Sequence, residues 1–380
     1  MTALDDYRAE LQRDLDAQAA AGLRRGLVEP AGIDLVSNDY LGLAAHPAVI
    51  GRMQEALARV GAGSGGSRLL RGHHRCFSEI EERLAAFGGT ECALLFSSGY
   101  AANVGLMQAL VGSDDLVLSD ERNHASLIDG LRLCGARKVI YAHQDLEQVE
   151  RILRGPRPRR TFIVTESVFS MDGDLTPLAE LAELAERNGA LLIVDEAHAT
   201  GLYGERGSGR IEETGTRARV LASLHTGGKS LGTGGAWVAG SSEVRDTLLH
   251  RARSFLFSTA PLPVLCEGLA AALDVLPAEP ERRAGVHRKS AILRGALRDA
   301  GWFVAQDLSP IVPLIVGTNE AAVALQQGLA AAGFDARAVR PPTVPPGTSR
   351  LRFTVRYPVA DDDFTRLAAE VARLHPAPTA

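Results

Sequence analysis

The feature that most constrains the fold of this chain is a series of short apolar runs between about residues 92 and 240. Amphipathic stretches with helical spacing, such as residues 178–188, lie between most of the runs. Apolar runs without a polar face indicate strands that helices cover on both sides of a mostly parallel sheet. We therefore predict an α/β fold with a seven-stranded sheet built from CALLFSS (92–98), DLVLS (115–119), KVIYA (138–142), TFIVTESVF (161–169), LLIVDEA (191–197), RVLASLHT (219–226) and AWVAG (236–240).

The rest of the chain is predicted to form an N-terminal arm and a smaller C-terminal domain. A helical pattern opens the chain, and we assign residues 1–45 to a helix and an arm. The large domain is expected over 46–278, and it ends at the Pro-containing, charged segment VLPAEPERR (275–283). The pattern after this segment is helix, strand, helix, two strands and helix, which predicts an α+β domain over 279–380.

Charge and cysteine content exclude several classes of protein. The formal net charge of -5 provides no basic surface stripe, so no nucleic-acid partner is expected. No run of ~18 uncharged apolar residues is present to span a membrane, and the acidic N-terminus does not suit a signal peptide. The four cysteines are scattered without metal-ligand spacing, so we expect no metal site and a reducing, cytoplasmic location; they are Cys76, Cys92, Cys134 and Cys266.

Lysine is rare in this chain, and one of the lysines stands in an unusual place. Of 41 basic residues only Lys138, Lys229 and Lys289 are lysines. Lys138 precedes an apolar run and Lys289 lies in a charged helix, so both are expected at the surface. Lys229 lies in the Gly-rich sequence LHTGGKSLGTGG without an amphipathic pattern. An amine can form an imine with a carbonyl group, whereas a guanidinium cannot, so we predict that Lys229 is chemically active.

A phosphate site is predicted where the first strand of the series meets a helix. The sequence FSSGYAAN (96–103) makes this junction through Gly99. Free amides and the positive end of the helix dipole attract anions there, so Ser98, Gly99 and Tyr100 could present donors to a phosphate group. An ordinary strand–helix turn is the alternative, and the motif by itself leaves it open.

A carboxylate ends another of the buried strands. LLIVDEAHATG (191–201) places Asp195 at the strand end and His198 just beyond it. Ligands of open α/β sheets bind beyond the carboxyl ends of the strands, and a carboxylate there can pair with a protonated pyridine nitrogen. A metal site or a buried ion pair is the alternative, although only Glu196 is offered as a neighbouring ligand.

His124 is placed at the start of a predicted helix by ERNHASLIDG (121–130). A flat imidazole at this position can stack on a pyridine ring. A lone histidine is also common as a helix cap or surface residue, and the motif by itself does not exclude this interpretation.

The order of these motifs resembles the fold-type-I pyridoxal-phosphate (PLP) enzymes of the aspartate-aminotransferase type, and within them the α-oxoamine synthases. The resemblance covers nearly the whole chain, and RPPTVPPGTSRLRFT (340–354) looks most like the biotin-pathway member of that family. The chain departs from the family pattern at Tyr357, where members often carry a histidine. The motifs that carry the resemblance are LVSNDYLGL, GSGGSR, SSGYAAN, HASL, ESVFSMDGD, DEAHATG and TGGKSLG.

The resemblance implies a role for each candidate residue. Lys229 would hold PLP as an imine, Asp195 would pair with the ring nitrogen, His124 would stack on the ring and His198 would contact the ring oxygen; these four are the expected catalytic residues. The other expected cofactor contacts are Ser98, Gly99, Tyr100, Ser170, Thr226, Ser258 and Thr259. The expected substrate contacts are Arg24, Asn38, Arg340, Thr343 and Arg352.

The reaction that the resemblance implies is a decarboxylative condensation of L-alanine with a pimeloyl thioester. The thioester would be carried by coenzyme A or by acyl carrier protein, and the enzyme would be a homodimer in which Gly66, Ser67, Ser258 and Thr259 approach the neighbour's cofactor. The alternatives are a related synthase that uses glycine or another acyl group, such as a 2-amino-3-ketobutyrate CoA ligase, and an aminotransferase or racemase of the same fold. A catalytically silent binding protein is the non-enzyme alternative.

Overall fold

The structure, a computed structural model, describes residues 2–156, 158–306 and 309–375. Packing divides the chain into two units. The larger unit comprises Asn38–Ser170 and Asp174–Gly285, and the smaller unit contains the described residues of 1–37, 171–173 and 286–380. The domain boundaries inferred from the sequence, after residues 45 and 278, remain predictions.

Short strands and longer helices make up most of both units. No helix within the described ranges combines the length and apolarity needed to cross a bilayer. The strands are β1 (Ile33–Asp34), β2 (Cys92–Phe96), β3 (Leu116–Asp120), β4 (Arg137–Tyr141), β5 (Thr161–Glu166), β6 (Leu191–Asp195), β7 (Val220–Thr226), β8 (Ala236–Gly240), β9 (Ile311–Gly317), β10 (Phe334–Asp335), β11 (Ala338–Val339) and β12 (Ser349–Thr354). The α-helices are α1 (Ala3–Ala20), α2 (Pro47–Val60), α3 (Arg75–Gly88), α4 (Gly99–Leu110), α5 (Ala125–Leu133), α6 (Leu146–Leu153), α7 (Leu178–Arg187), α8 (Arg210–Glu213), α9 (Ser242–Arg251), α10 (Arg253–Leu256), α11 (Val264–Ala278), α12 (Pro280–Asp299), α13 (Asn319–Ala331) and α14 (Asp361–Leu374).

The larger unit is built around a seven-stranded sheet with the order β2-β8-β7-β6-β5-β3-β4. All neighbours from β7 to β4 are parallel, and β8 runs antiparallel to both β2 and β7. The sequence-based prediction of a mostly parallel, seven-stranded α/β sheet is therefore confirmed. The parallel strands all end at one edge of the sheet, where ligands of such folds bind.

Helices cover both faces of this sheet, which explains why the strands lack a polar face. On one side the strands pack against α4, α5, α9 and α10, and on the other side against α6 and α7. Successive residues of a strand point to opposite faces, so β5 and β6 contribute to both cores. Phe162, Val164 and Ile193 enter the first core, and Ile163, Leu192 and Val194 enter the second.

The smaller unit combines the N-terminal arm with the C-terminal segment. Its three-stranded antiparallel sheet has the order β11-β12-β9, and β1 pairs in parallel with β10. Apolar residues of α12, α13 and α14 pack against these strands to form the separate hydrophobic core of the smaller unit. The N-terminal arm is thus held in this unit by backbone hydrogen bonds to residues some 300 positions later.

Lys289 corrects one expectation from the sequence. Lys138 is exposed as expected, but Lys289 is buried, with only 7% of its surface exposed. Its ammonium group donates to the carbonyl oxygens of Tyr357 and Val359 and lies 3.7 Å from Asp361. These acceptors compensate for burial of the charge, and Lys289 therefore ties α12 to the turn between β12 and α14.

Candidate active site

The carboxyl ends of three neighbouring strands carry polar side chains into the larger unit. Glu166 ends β5, Asp195 ends β6 and Thr226 ends β7, and Glu166 lies directly beside Asp195 in the strand register. All three residues are buried. Lys229 follows β7 by three residues and is half-buried. Strand topology thus brings together residues that are far apart in the sequence.

Asp195 is held in place by hydrogen bonds from two N–H donors. Its carboxylate accepts from Nδ2 of Asn103 at 2.7 Å and from the backbone N–H of Ala197 at 2.8 Å. The same Asn103 nitrogen lies 2.9 Å from Oγ of Ser126, which lies 2.7 Å from Nδ1 of His124. A continuous chain of polar contacts therefore connects His124 to Asp195.

His124 caps the N-terminus of α5, and the charges of other site residues affect its pKa. Its Nδ1 accepts from the backbone N–H of Ser126 at 3.2 Å. Burial by the surrounding protein lowers the pKa of His124, the Asp195 carboxylate opposes this effect and the Lys229 ammonium reinforces it. The ring is therefore neutral at neutral pH, and His124, Asp195 and Lys229 lie near enough to influence one another.

Glu166 belongs to the site although the sequence did not single it out. Its Oε1 accepts from the backbone N–H of His124 at 2.6 Å. Burial and the neighbouring Asp195 carboxylate raise the pKa of Glu166 well above its ordinary value, more than Lys229 lowers it. Burial and the adjacent Asp195 carboxylate therefore both favour the protonated form of Glu166.

His198 is buried in a second polar chain of the larger unit. Its Nδ1 lies 2.6 Å from the hydroxyl of Tyr40, and that hydroxyl lies 3.2 Å from Oδ1 of Asn38. The structure thus connects two predicted site residues, Asn38 and His198, through Tyr40. Tyr40 was not among the predicted site residues, because no pattern within the motif LVSNDYLGL distinguishes it from its neighbours in the loop.

The loop that carries Lys229 is closed by tight backbone contacts. The N–H of Gly232 donates to the carbonyl of Lys229 at 2.9 Å, and Gly232 has a positive φ of 63°. A Cβ atom added at Gly232 would lie 2.1 Å from the backbone nitrogen of Ala44. Thr226 braces the start of the loop, since its hydroxyl donates to the Gly235 carbonyl at 3.1 Å. The backbone at Lys229 is therefore well fixed.

The predicted phosphate site lies at the N-terminus of α4. Ser98 is the N-cap, and its Oγ accepts from the N–H of Ala101 at 3.2 Å. In the described part of the chain the amides of Gly99 and Tyr100 donate to no protein group. The hydroxyl of Tyr100 donates to Asp129. The first turn thus keeps two amides available for an anion.

The remaining predicted cofactor contacts also lie in the larger unit. Ser170 follows β5 and is half-buried. Ser258 lies after α10, where its hydroxyl donates to the carbonyl of Thr259 at 3.2 Å, and Thr259 is exposed. The assignment of these three residues to the cofactor remains a prediction.

The predicted acyl-substrate residues surround a cavity of the smaller unit. The cavity has a volume of about 400 Å³, and Arg340 and Thr343 lie in its wall. Arg25 also lies in the wall, where it donates to Oγ1 of Thr343 at 3.3 Å. Arg24 is exposed outside the residues that line the cavity, and Arg352 lies on β12 with Nη1 3.2 Å from Oγ1 of Thr354. Sequence reasoning therefore missed Arg25.

Comparison with known proteins identifies the class of this fold and site. A model of the family "Aminotransferase class I and II" matches residues 30–370. The serine palmitoyltransferase of Sphingomonas wittichii, at 30% sequence identity, covers all of both chains with a TM-score of 0.91. The chain therefore belongs to the class I and II aminotransferase family, with the fold of the PLP-dependent transferases of fold type I.

Sequence relatives narrow this class to one kind of acyltransferase. The 8-amino-7-oxononanoate synthase of Anaeromyxobacter dehalogenans (strain 2CP-1) is 46% identical over 96% of this chain and 96% of its own. A solved structure of 8-amino-7-oxononanoate synthase from Francisella tularensis is 27% identical, covers 90% of this chain and 97% of its own, and has a TM-score of 0.78. The chain is thus an enzyme of the 8-amino-7-oxononanoate synthase kind, and the resemblance inferred from the motifs is confirmed.

Proposed function

We propose that this enzyme condenses L-alanine with a pimeloyl thioester to give 8-amino-7-oxononanoate, carbon dioxide and a free thiol, a step of biotin synthesis. The observation that carries the proposal is the grouping of Lys229, His124 and Asp195 beyond the strand ends, where the charges of Lys229 and Asp195 act on His124. Relatives that carry the name of this activity support the choice of reaction.

The residues of the larger unit fit PLP. The buried Asp195 carboxylate, stabilised by Asn103 and Ala197, suits a protonated ring nitrogen. A phosphate group suits the available amides of the first turn of α4, and a Cβ added at Gly99 would meet no atom within 4 Å. We assign Ser98 and Thr226 to the phosphate, His198 to the ring oxygen and His124 to the ring face, with Ser170, Ser258 and Thr259 as further contacts.

Each proposed catalytic side chain has a distinct role in proton transfer or in charge stabilisation. When bound, PLP supplies an electron sink for the bonds broken at the α-carbon of alanine. We assign removal and return of the α proton to the Nζ amine of Lys229. We assign Asp195 to the protonated ring nitrogen of the cofactor, which it would hold in that form. The neutral ring of His124 can lie against the cofactor without adding a second positive charge next to Lys229.

The acyl substrate is assigned to the cavity of the smaller unit. Its wall combines apolar side chains with Arg25, Arg337 and Arg340. Arg337 is paired with Asp335 at 2.9 Å, and Arg340 donates one Nη1 hydrogen to the carbonyl of Gly22. A guanidinium has further donors, and a pimeloyl chain offers methylenes together with polar ends.

The amino-acid carboxylate is assigned to Arg352 and Asn38. A guanidinium binds a carboxylate with charge-assisted hydrogen bonds. Arg24 is kept as a third candidate substrate contact, because it lies next to Arg25 in the arm.

A homodimer is supported by an exposed apolar surface in the larger unit. The segments 64–70 and 257–262 are joined by a hydrogen bond from the N–H of Ala260 to the carbonyl of Gly66 at 2.9 Å. Leu70 is 84% exposed and Phe257 is 74% exposed on these segments, next to Thr259. Exposed apolar patches of this kind mark association surfaces, which agrees with sites shared between two copies. The cytoplasm is the proposed compartment, supported by the free thiol state of the four cysteines.

The experiment that tests the function measures carbon dioxide released from carboxyl-labelled L-alanine. Release is expected only when an acyl thioester is added, with a higher kcat/KM for pimeloyl than for acetyl or palmitoyl thioesters. Comparison of coenzyme A and acyl carrier protein as carriers would identify the thiol. Release without a thioester would contradict the condensation, and a preference for acetyl or palmitoyl would contradict the acyl assignment.

Arg340→Ala extends this test to the cavity. The variant is expected to raise KM for the pimeloyl thioester and to leave alanine binding unchanged. Arg251→Ala removes an exposed arginine of α9 and is the matched control. Unchanged pimeloyl kinetics in Arg340→Ala would remove the residue from the acyl site.

A further inference from the structure

A trio of charged residues, of which Asp120 is buried and the other two are half-buried, lies beside the candidate site in the larger unit. Asp120 ends β3, His143 follows β4 by two residues, and Asp174 lies beyond the end of β5. Nδ1 of His143 lies 2.9 Å from Oδ1 of Asp120, and its Nε2 forms a hydrogen bond with Oδ2 of Asp174. Because both ring nitrogens face carboxylates, only the protonated imidazolium can donate to both.

Asp120 fixes the turn that leads to His124. Its Oδ1 accepts from the backbone N–H of Arg122 at 2.9 Å, and its carbonyl accepts from the N–H of Asn123 at 3.2 Å. The side chain of Asn123 in turn donates to the carbonyl of Val164 on β5 at 2.8 Å. The turn therefore has one defined course, and it delivers His124 to the start of α5.

Asp174 fixes the segment that leads to Ser170. Its carbonyl accepts from the backbone N–H of Phe169 at 3.1 Å, and its carboxylate accepts from Nε2 of Gln144 at 3.0 Å. The ring of His143 also packs edge-on against Phe169, with 4.4 Å between the ring centroids. His143 thus touches this segment at two points, immediately before Ser170 and at Asp174.

We propose that His143 is a positioning residue of the cofactor site, which fixes the segments presenting His124 and Ser170 by bridging Asp120 and Asp174. The inference rests on the proposed function, because it takes His124 and Ser170 as cofactor contacts. His143 itself reaches the reaction only through these two segments.

The charges around the ring keep His143 protonated. Burial disfavours the imidazolium, but the hydrogen bonds to Asp120 and Asp174 outweigh it and raise the pKa of His143 to about 9. Two further titratable groups lie near His143. The backbone N–H of His143 donates to Glu121 at 3.2 Å, and burial together with the charge of Asp120 raises the pKa of the Tyr141 phenol. At neutral pH the bridge is complete, and above pH 9 it loses one of its two donors.

The test compares His143→Gln and His143→Arg with the wild-type holoenzyme. Glutamine donates only from a single uncharged amide nitrogen and cannot replace donors on two sides of an imidazolium ring, whereas arginine offers several donors in a permanent cation. We expect His143→Gln to keep a native circular-dichroism spectrum, to bind PLP more weakly and to lose kcat by on the order of a hundredfold through misplacement of the site. His143→Arg should recover much of the PLP affinity.

The pH profile of PLP affinity separates positioning from a merely structural role. The wild-type enzyme should show a decrease in affinity near pH 9 that both variants lack. His250→Gln is the matched control, since His250 is exposed on α9 and its Nδ1 hydrogen bond is to the carbonyl of Asp246.

Failure of this inference can be distinguished from failure of the proposed function. A wild-type enzyme that binds no PLP would overturn the proposed function. Normal PLP binding by the wild type, together with wild-type affinity, kcat and pH profile in His143→Gln, would overturn the role of His143. If His143→Gln does not fold, His143→Arg decides: loss of the decrease near pH 9 supports the bridge, and its persistence contradicts it.

Discussion

Burial and a neighbouring carboxylate favour the protonated form of Glu166 in the site. Asp195 and Glu166 are adjacent in the strand register, and both are buried. Burial and the Asp195 carboxylate raise the pKa of Glu166, because a second negative charge beside Asp195 is unfavourable. Asp195 accepts hydrogen bonds from the side chain of Asn103 and from the backbone N–H of Ala197.

Replacement of Asp195 by asparagine should therefore impair the chemistry more than the fold. A neutral amide keeps the shape of the side chain but removes the charge that would hold a proton on the ring nitrogen of the cofactor. Turnover is expected to fall on the order of 10²–10³-fold, as for loss of one electrostatic contribution. Exchange of the α proton of alanine with deuterated solvent measures this loss directly. Near-normal exchange would contradict the role, and Asp299→Asn, an exposed aspartate of α12, is the control.

His143 should make the stability of the folded enzyme depend on pH. Its pKa of about 9 lies above the ordinary histidine value of 6.5, because Asp120 and Asp174 outweigh burial. Its stabilising contribution is therefore complete below pH 6.5 and is lost as the pH rises through 9. Unfolding midpoints at pH 6 and pH 9.5 should differ more in the wild type than in His143→Gln. Equal differences in both proteins would argue against a doubly paired imidazolium.

Single-residue roles were predictable from sequence only where a motif marks them. Lys229 was identified by its rarity and its Gly-rich surroundings. Glu166 and Asn103 were missed, because their importance depends on neighbours that the strand order and α4 supply from distant parts of the chain. Lys289 was wrongly placed at the surface, since its carbonyl partners follow β12 and no pattern in α12 reveals them.

At the level of elements, the strands were predictable and one helix was not. The strands were predictable because a strand that is buried on both faces appears in the sequence as a continuous apolar run. The segment 242–256 forms two helices instead of one, because α9 and α10 are separated at Ala252, which has a ψ of 98°. The break lets Phe255 pack against Phe96 at 5.4 Å and Ser254 donate to the carbonyl of Ala101 at 2.5 Å. Tertiary contacts of this kind leave no local signal.

The loop between β7 and β8 should tolerate no side chain at Gly232. Gly232→Ala combines an unfavourable positive φ with a close approach to the backbone of Ala44. Gly215→Ala is the matched control, because Gly215 has a φ of 65° but no atom within 4 Å of an added Cβ. Chemical denaturation should show a loss of about 1 kcal/mol for the control and of about 2–4 kcal/mol for Gly232→Ala. Equal losses would mean that the loop can shift away from Ala44.

For the whole molecule, the exposed apolar segments around Thr259 suggest that two copies complete each other's sites. Leu70 and Phe257 would leave water on association. A symmetric dimer presents the same surface twice, so each chain would both give and receive Thr259. Lys229 and Asp195, by contrast, belong to the same site of one chain.

Mixed dimers test this sharing. Lys229→Ala chains exchanged with Thr259→Asp chains should recover about one quarter of the wild-type activity, because half of the random dimers are mixed and each has one intact site. Lys229→Ala chains exchanged with Asp195→Asn chains should recover no activity. In such a mixed dimer one site lacks Lys229 and the other lacks Asp195, so neither site is intact. No recovery in the first mixture, despite proven exchange, would indicate that Thr259 serves its own chain.

Attachment of the cofactor to Lys229 is the central claim, and reduction of the holoenzyme with borohydride tests it most directly. Reduction fixes an imine as a stable amine, and peptide mapping then locates the label among Lys138, Lys229 and Lys289. We expect label on the peptide that contains Lys229, and loss of that label in Lys229→Ala. Label on the exposed Lys138 or the buried Lys289 instead would contradict the assignment of the site.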